Sequence, residues 1–232
     1  MKPKLLDRNI GVNHSLNFHK DVLPHFLKVY HFHPELELVF IKKSTGTRFL
    51  GDSIENFQVG DLVLIGENLP HMWQNDPVYF REDKPLVAEA LVVHFKKDFA
   101  GKDFFELPEL ASVKRLIELS ARGILFRGKS VNTAVAEIEK LASQNEFKRL
   151  MTLIHLLKLL STCRDYEVLV SPGFVDACNQ AEHRRLEGIY AFVYSNSRSR
   201  FCWPPWPNLQ ACMRRRFAGF SNAPPVKHSF NS

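Results

Sequence analysis

The 232-residue chain is 45% hydrophobic and 24% charged, the balance of an ordinary folded protein with material for one large domain or two modest ones. Its net charge of +6 sits at one end: residues 183–232 hold eight Lys/Arg and one acid, leaving 23 basic and 24 acidic residues in 1–182, so any electrostatic case for nucleic acid rests on the tail alone. No apolar leader, membrane-length apolar run or Cys-x-x-Cys spacing among the four cysteines is visible, which argues against secretion, membrane spans and zinc knuckles and predicts a cytoplasmic protein.

From residue 1 to about 105 the pattern predicts a mainly β domain. "ELELVFI", "DLVLIG" and "LVAEALVVHF" are short runs rich in branched residues, punctuated by Gly46, Gly51, Gly60 and Gly66. Many short strands with glycine turns point to a sandwich or small barrel. Across 106–165 the period becomes helical. "LPELASVKRLIELSARG" places Leu110, Val113, Leu116, Ile117 and Ser120 on one stripe, with Gly123 as a C-terminal stop, and "VNTAVAEIEKLAS" is a second amphipathic helix. Ser143 followed by Glu146 reads as a capping box for a third, "NEFKRLMTLIHLLKLLST". That helix is apolar on more than one stripe and must be covered on most sides, either within its own domain or, through Leu153, Leu157 and Leu160, against a second subunit. Residues 166–182 read as a loop leading into "RRLEGIYAFVY", where another helix could start.

Two stretches carry the chemistry, "HFHPELEL" and "LPHMWQN". On an extended strand His31, His33, Glu35 and Glu37 share one face, with Pro34 placed to disturb the alternation. If His71 faces the same cavity, three imidazoles and a carboxylate converge, a donor set that suits a divalent first-row metal with positions left open for water or ligand. The same residues could equally be hydrogen-bonded cavity lining. Arg48 on a predicted strand could meet a carboxylate or sugar hydroxyls, or be a solvated edge residue. Trp73 could stack on a ligand or simply pack.

These residues resemble the cupin barrel, whose first motif has the form G-x5-H-x-H-x3-E-x6-G and whose second has the form G-x5-P-x-G-x2-H-x3-N. His31, His33 and Glu37 keep the first spacing, with His25 and Ser44 in its two glycine positions. Gly60, His71 and Asn75 keep the second, with Gly66 in place of proline and Asn68 in place of glycine. The resemblance implies a cupin double-stranded β-helix, or jelly-roll barrel, over 1–105. It implies a pocket around His31, His33, Glu37, Arg48, His71 and Trp73 that binds a small organic molecule, and His31, His33, Glu37 and His71 as ligands for a divalent metal ion. With the helices that follow, roughly residues 15–195 resemble the sensor half of AraC-type transcription regulators. That resemblance implies a helical connector and dimerisation segment over 106–165, a linker and the start of a DNA-binding domain over 166–196, a small-molecule effector, a homodimer and, for an intact member, operator DNA bound by helix-turn-helix units.

The segment 197–232, "SRSRFCWPPWPNLQACMRRRFAGFSNAPPVKHSFNS", departs from that pattern. Pro204, Pro205 and Pro207 and the absence of periodic hydrophobes argue against a packed domain. Read one base out of frame, Trp203–Pro204 and Trp206–Pro207 must each encode alanine, Met213–Arg214 gives Glu or Ala, and permitted codons yield a helical string that resembles the family's helix-turn-helix region. The expectation is therefore an out-of-frame, disordered tail. The competing reading is a basic arm in which Arg214, Arg215 and Arg216 contact phosphates without reading sequence.

Two functions compete. One is the ligand-sensing part of an AraC-type regulator, not an enzyme; the other is a metal-dependent cupin enzyme of the dioxygenase or sugar isomerase type.

Overall fold

The computed structural model describes residues 3–6, 14–83 and 86–174; the expected start of a DNA-binding domain beyond 174 and the tail 197–232 lie outside the described residues. Two sheets and a helical layer are built from them. Strands β1 (Lys4–Leu5), β3 (His31–Phe32), β8 (His71–Asn75), β5 (Gly46–Leu50) and β6 (Ser53–Phe57) form a five-stranded sheet in that order. The second sheet has six strands, in the order β11 (Tyr166–Val168), β10 (Ile124–Phe126), β7 (Leu62–Ile65), β4 (Leu36–Lys43), β9 (Ala88–Phe95) and β2 (Leu16–Leu23). Within these sheets only β1 and β3 pair in parallel. This mainly β, two-sheet unit followed by helices is the fold class expected.

Strands β4, β7, β9 and β10 of the six-stranded sheet are buried on both faces over most of their length, which explains why they read as largely apolar runs. Val39, Ile41, Val63, Ile65, Ala90, Val92 and Leu125 face the five-stranded sheet and meet Leu50, Phe57 and Trp73. The alternating set, Leu36, Leu38, Leu62, Leu64, Leu91, Val93, Phe95, Ile124 and Phe126, faces the helices. Each strand thus reports to two cores, because successive side chains point to opposite faces.

Helices α1 (Ala111–Ser120), α2 (Lys129–Lys140) and α3 (Glu146–Ser161) form that outer layer, and α3 packs against both others. Its cap is Asn145, whose side chain accepts the Lys148 amide at 2.9 Å, and not the expected Ser143, which ends the preceding 3-10 turn (Leu141–Ser143). Leu153, Leu156, Leu157 and Leu160 are fully buried against their own chain, so they are core and not an interface; the exposed apolar residues of α3 are Phe147 and Met151.

Strands β10 and β11 were not foreseen. β10 follows the Gly123 stop inside the 106–165 span, and β11 lies where a loop was expected; they pair with each other, and β10 joins β7. The loop between β7 and β8 is tied to the first motif by the Asn68 amide, which donates to the His33 carbonyl at 2.8 Å. Asn68 has a φ of 55°, the left-handed region. Asparagine tolerates that region better than other side chains, which is how it replaces the glycine of the cupin pattern. At the motifs' far ends Asn75 donates to the Ser44 hydroxyl and accepts the Phe26 amide at 2.7 Å.

Candidate functional site: a histidine and glutamate cluster at the end of an interior cavity

β3 brings His31 opposite His71 of β8, and the bend at His33–Glu35 turns the chain across into β4, which carries Glu37. Pro34 lies in that bend, so strict alternation from His31 to Glu37 is broken. Glu35 leaves the cluster and sets its carboxylate 3.6 Å from the far side of His33. His31, His33, Glu37 and His71 are all buried and offer ligand atoms within 4.8 Å of one another.

The imidazoles are oriented by the backbone. Nδ1 of His31 donates to the Val29 carbonyl at 2.7 Å, Nδ1 of His33 to the Glu35 carbonyl at 3.0 Å, and Nδ1 of His71 to the Leu69 carbonyl at 2.8 Å. Each bond selects the tautomer whose Nε2 is a lone-pair donor, the arrangement metal-binding histidines use. Nε2 of His33 lies 2.9 Å and Nε2 of His71 3.4 Å from Oε2 of Glu37. In the neutral tautomers these nitrogens turn lone pairs toward a carboxylate, an arrangement relieved by a cation among them or by extra protons. Nε2 of His71 has no hydrogen-bond partner among the described residues. The set therefore fits a divalent first-row ion: neutral nitrogens with one hard oxygen.

A fourth imidazole, missed in the sequence, comes from β9. His94 stands directly opposite Glu37 in the ladder, and its Nε2 is 2.9 Å from the same Oε2. His19 of β2 stacks on it with centroids 5.2 Å apart. Burial pushes the Glu37 carboxyl upward; with protons on their Nε2 atoms, His94, His71 and His33 outweigh burial and hold it well below the usual carboxylate range. His94 lay in the quoted run "LVVHF" at the same strand parity as Ala90 and Val92. Its meeting with Glu37 depends on strand pairing, which motif spacing does not encode.

His31 and Glu37 of the cluster, with His94, line one end of a half-open cavity of about 70 Å³. His31, Glu37, His94, His19 and Asp21 line it with Val39, Ile41, Ala90, Val92, Leu23, Leu27, Phe26 and Trp73. Trp73 is thus a lining residue, its ring edge-on to Phe57 at 5.1 Å. Arg48 is not among the lining residues. It is 1% exposed, donates from Nη2 to Glu55 at 2.8 Å, and stands beside Trp73, its partner in the β5–β8 ladder, with its guanidinium carbon 5.9 Å from the ring. Burial lowers its pKa from the usual arginine value against the opposing pull of Glu55 and Asp61. Neither a solvated edge position nor direct lining of this cavity describes it; Arg48 buttresses the wall.

No protein-family model matches the sequence, and no curated protein matches it. Among solved structures the chain is similar to ToxT from Vibrio cholerae strain SCE256 with an unsaturated fatty acid bound, at 13% identity and a TM-score of 0.36, over 88% of this chain and 70% of that one. It is also similar to Streptomyces albus HEPD with 2-hydroxyethylphosphonate and Fe(II), at 12% identity and a TM-score of 0.24, over 72% of this chain and 41% of that one. An oxalate decarboxylase aligns at 17% identity and a TM-score of 0.26, over 45% of this chain and 29% of that one. Similarity at this level assigns no function; the site's own geometry has to carry one. Among the described residues no helix is long and apolar enough to cross a membrane.

Proposed function

We propose that this chain is the small-molecule-sensing part of an AraC-type transcription regulator and not a catalyst. One observation carries the reading: the sheet that floors the cavity is also the sheet on which the helices pack. Glu37, Val39 and Ile41 of β4 face the cavity while Leu36 and Leu38 of the same strand face α1–α3. A ligand that shifts this strand acts on the helical connector without contacting it, which is the coupling between distinct sites that a regulator needs. A divalent ion held by His31, His33, Glu37 and His71 would supply a positive point at the cavity's closed end. His94 would hold the Glu37 carboxylate in place.

In this reading the sensor acts in a homodimer and at operator DNA through a C-terminal domain that starts within 166–196 and that 197–232, read in the shifted frame, would continue. The test is a DNA selection with two proteins, the chain as it stands and its frame-restored counterpart. The restored protein is expected to enrich one operator sequence at physiological salt, and the present chain none. Enrichment by the present chain would overturn the frameshift reading; none by the restored protein would overturn the regulator reading.

The buried metal-type cluster favours a second reading, a metal-dependent cupin enzyme. Turnover by iron- or manganese-loaded protein, lost on metal removal, would establish it in place of the sensor.

A further inference from the structure

The cavity's polarity is arranged in rows, and the rows specify a ligand. Three neighbouring strands floor it. At the closed end Glu37 of β4 pairs with His94 of β9. The next row toward the mouth is Val39 with Val92, flanked by His19 of β2, and the next is Ile41 with Ala90, flanked by Asp21. Between the Glu37 row and the Ile41 row the strand rises by roughly 13 Å, at about 3.3 Å per residue. Along that length the β4 and β9 side chains present no polar atom. Trp73 and Phe26 of the facing wall belong to the same apolar cluster. At the mouth Leu23 and Leu27 are 41% and 50% exposed although they line the cavity, apolar surface that a ligand's hydrocarbon end would cover.

We propose that the ligand is a monocarboxylate with a slim hydrocarbon body, its carboxylate at the Glu37 and His94 end and its body over the Val39–Val92 and Ile41–Ala90 rows. This rests on the reading of the cavity as the sensing site and of the cluster as a divalent centre. With one carboxylate among its four protein ligands, such a centre keeps a net positive charge, which selects an anionic head. A sugar is disfavoured because most of its hydroxyls would lie over Val39, Val92, Ile41 and Ala90, with His19, Asp21 and the Trp73 indole N–H offering partners only at the edges of those rows.

The test uses the full chain loaded with Zn²⁺, with metal content measured in every sample. Calorimetric titrations compare 3-phenylpropionate, its primary amide and D-xylose. The acid is expected to bind one per chain, the amide at least about tenfold more weakly and xylose not detectably. Ala90→Phe, which fills the apolar floor, is expected to weaken the acid at least about tenfold without changing zinc content. Leu27→Asp, at an exposed position that folding does not depend on, is expected to weaken it at least about threefold. Equal binding of acid and amide, or xylose binding that Ala90→Phe abolishes, would overturn the ligand class and leave the sensing site standing. Zinc-loaded protein that binds none of the three would overturn this proposal alone. Protein that takes up no zinc would overturn the divalent centre and this proposal with it.

Discussion

Leu157→Ala separates two accounts of α3. Leu157 is fully buried and belongs to the core shared by the six-stranded sheet and the helices, with Leu153, Leu156 and Leu160 around it. Truncating it removes most of an apolar side chain and leaves a cavity between elements anchored on several sides, a change that costs about 2–5 kcal/mol. For a chain of this size each kcal/mol lowers Tm by about 2–4 °C, so a fall of roughly 4–20 °C is expected. Met151→Ala, on the exposed side of the same helix, is expected to stay within about 0.5 kcal/mol. Calorimetry or urea unfolding at two protein concentrations twentyfold apart makes the measurement. If α3 is covered by its own chain, the loss at Leu157 is the same at both concentrations. A loss below about 1 kcal/mol, or one that appears only in the concentration dependence, would refute the placement of Leu157 in the monomer's core.

Further outcomes follow from the same structure. If the proposed homodimer forms through α3, Phe147→Glu combined with Met151→Glu is expected to give a monomer in light scattering with unchanged circular dichroism, since these are the exposed apolar residues of α3; a dimer that persists places its interface elsewhere. Glu89 bonds Lys20 at 2.9 Å and Lys43 at 3.1 Å, and these lysines hold its pKa below the ordinary value of 4.5. Because the folded-state pKa is depressed, its contribution is full above that range and fades as pH falls through it. Wild type should therefore exceed Glu89→Gln in stability at pH 7, with the difference closing below about pH 4.5; a difference that grows on acidification would contradict the assignment. His94→Leu is expected to weaken metal binding about 10- to 100-fold and His94→Gln much less, because a donor to Glu37 survives in the second. Equal losses in equilibrium dialysis would remove His94 from the role of holding Glu37.

Much of the fold was legible because burial wrote it into local pattern. The six-stranded sheet lies between two cores, so "DLVLIG" and "LVAEALVVHF" read as strands without any alternation to analyse. The helical period of 111–120 and 146–161 survived because each helix has neighbours on a defined side. β10 and β11 were not legible: three residues carry no period, and "ILF" after Gly123 joins the sheet only because β7 offers an edge. Ser143 has the right spacing to Glu146 for a cap, but the chain is still in a 3-10 turn there, and Asn145 takes the position. At the site, motif spacing brought forward His31, His33, Glu37 and His71, and they do meet. His94 and His19 reach them through strand pairing, a long-range property. Arg48 read equally as a ligand-binding residue or a solvated edge charge, because a lone arginine on a short strand decides neither; Glu55 across the β5–β6 hairpin lets it be buried.

The most direct test of the central claim, that the cluster is a divalent centre at the closed end of the cavity, is a cobalt titration followed by visible absorption. Metal-free full chain is expected to bind one Co²⁺ per chain with a ligand-field spectrum of nitrogen and oxygen donors. His33→Ala and His71→Ala are expected to lose that spectrum while retaining the circular dichroism of the wild type. A featureless titration, or a wild-type spectrum in either variant, would contradict the assignment of His31, His33, Glu37 and His71 as its ligands.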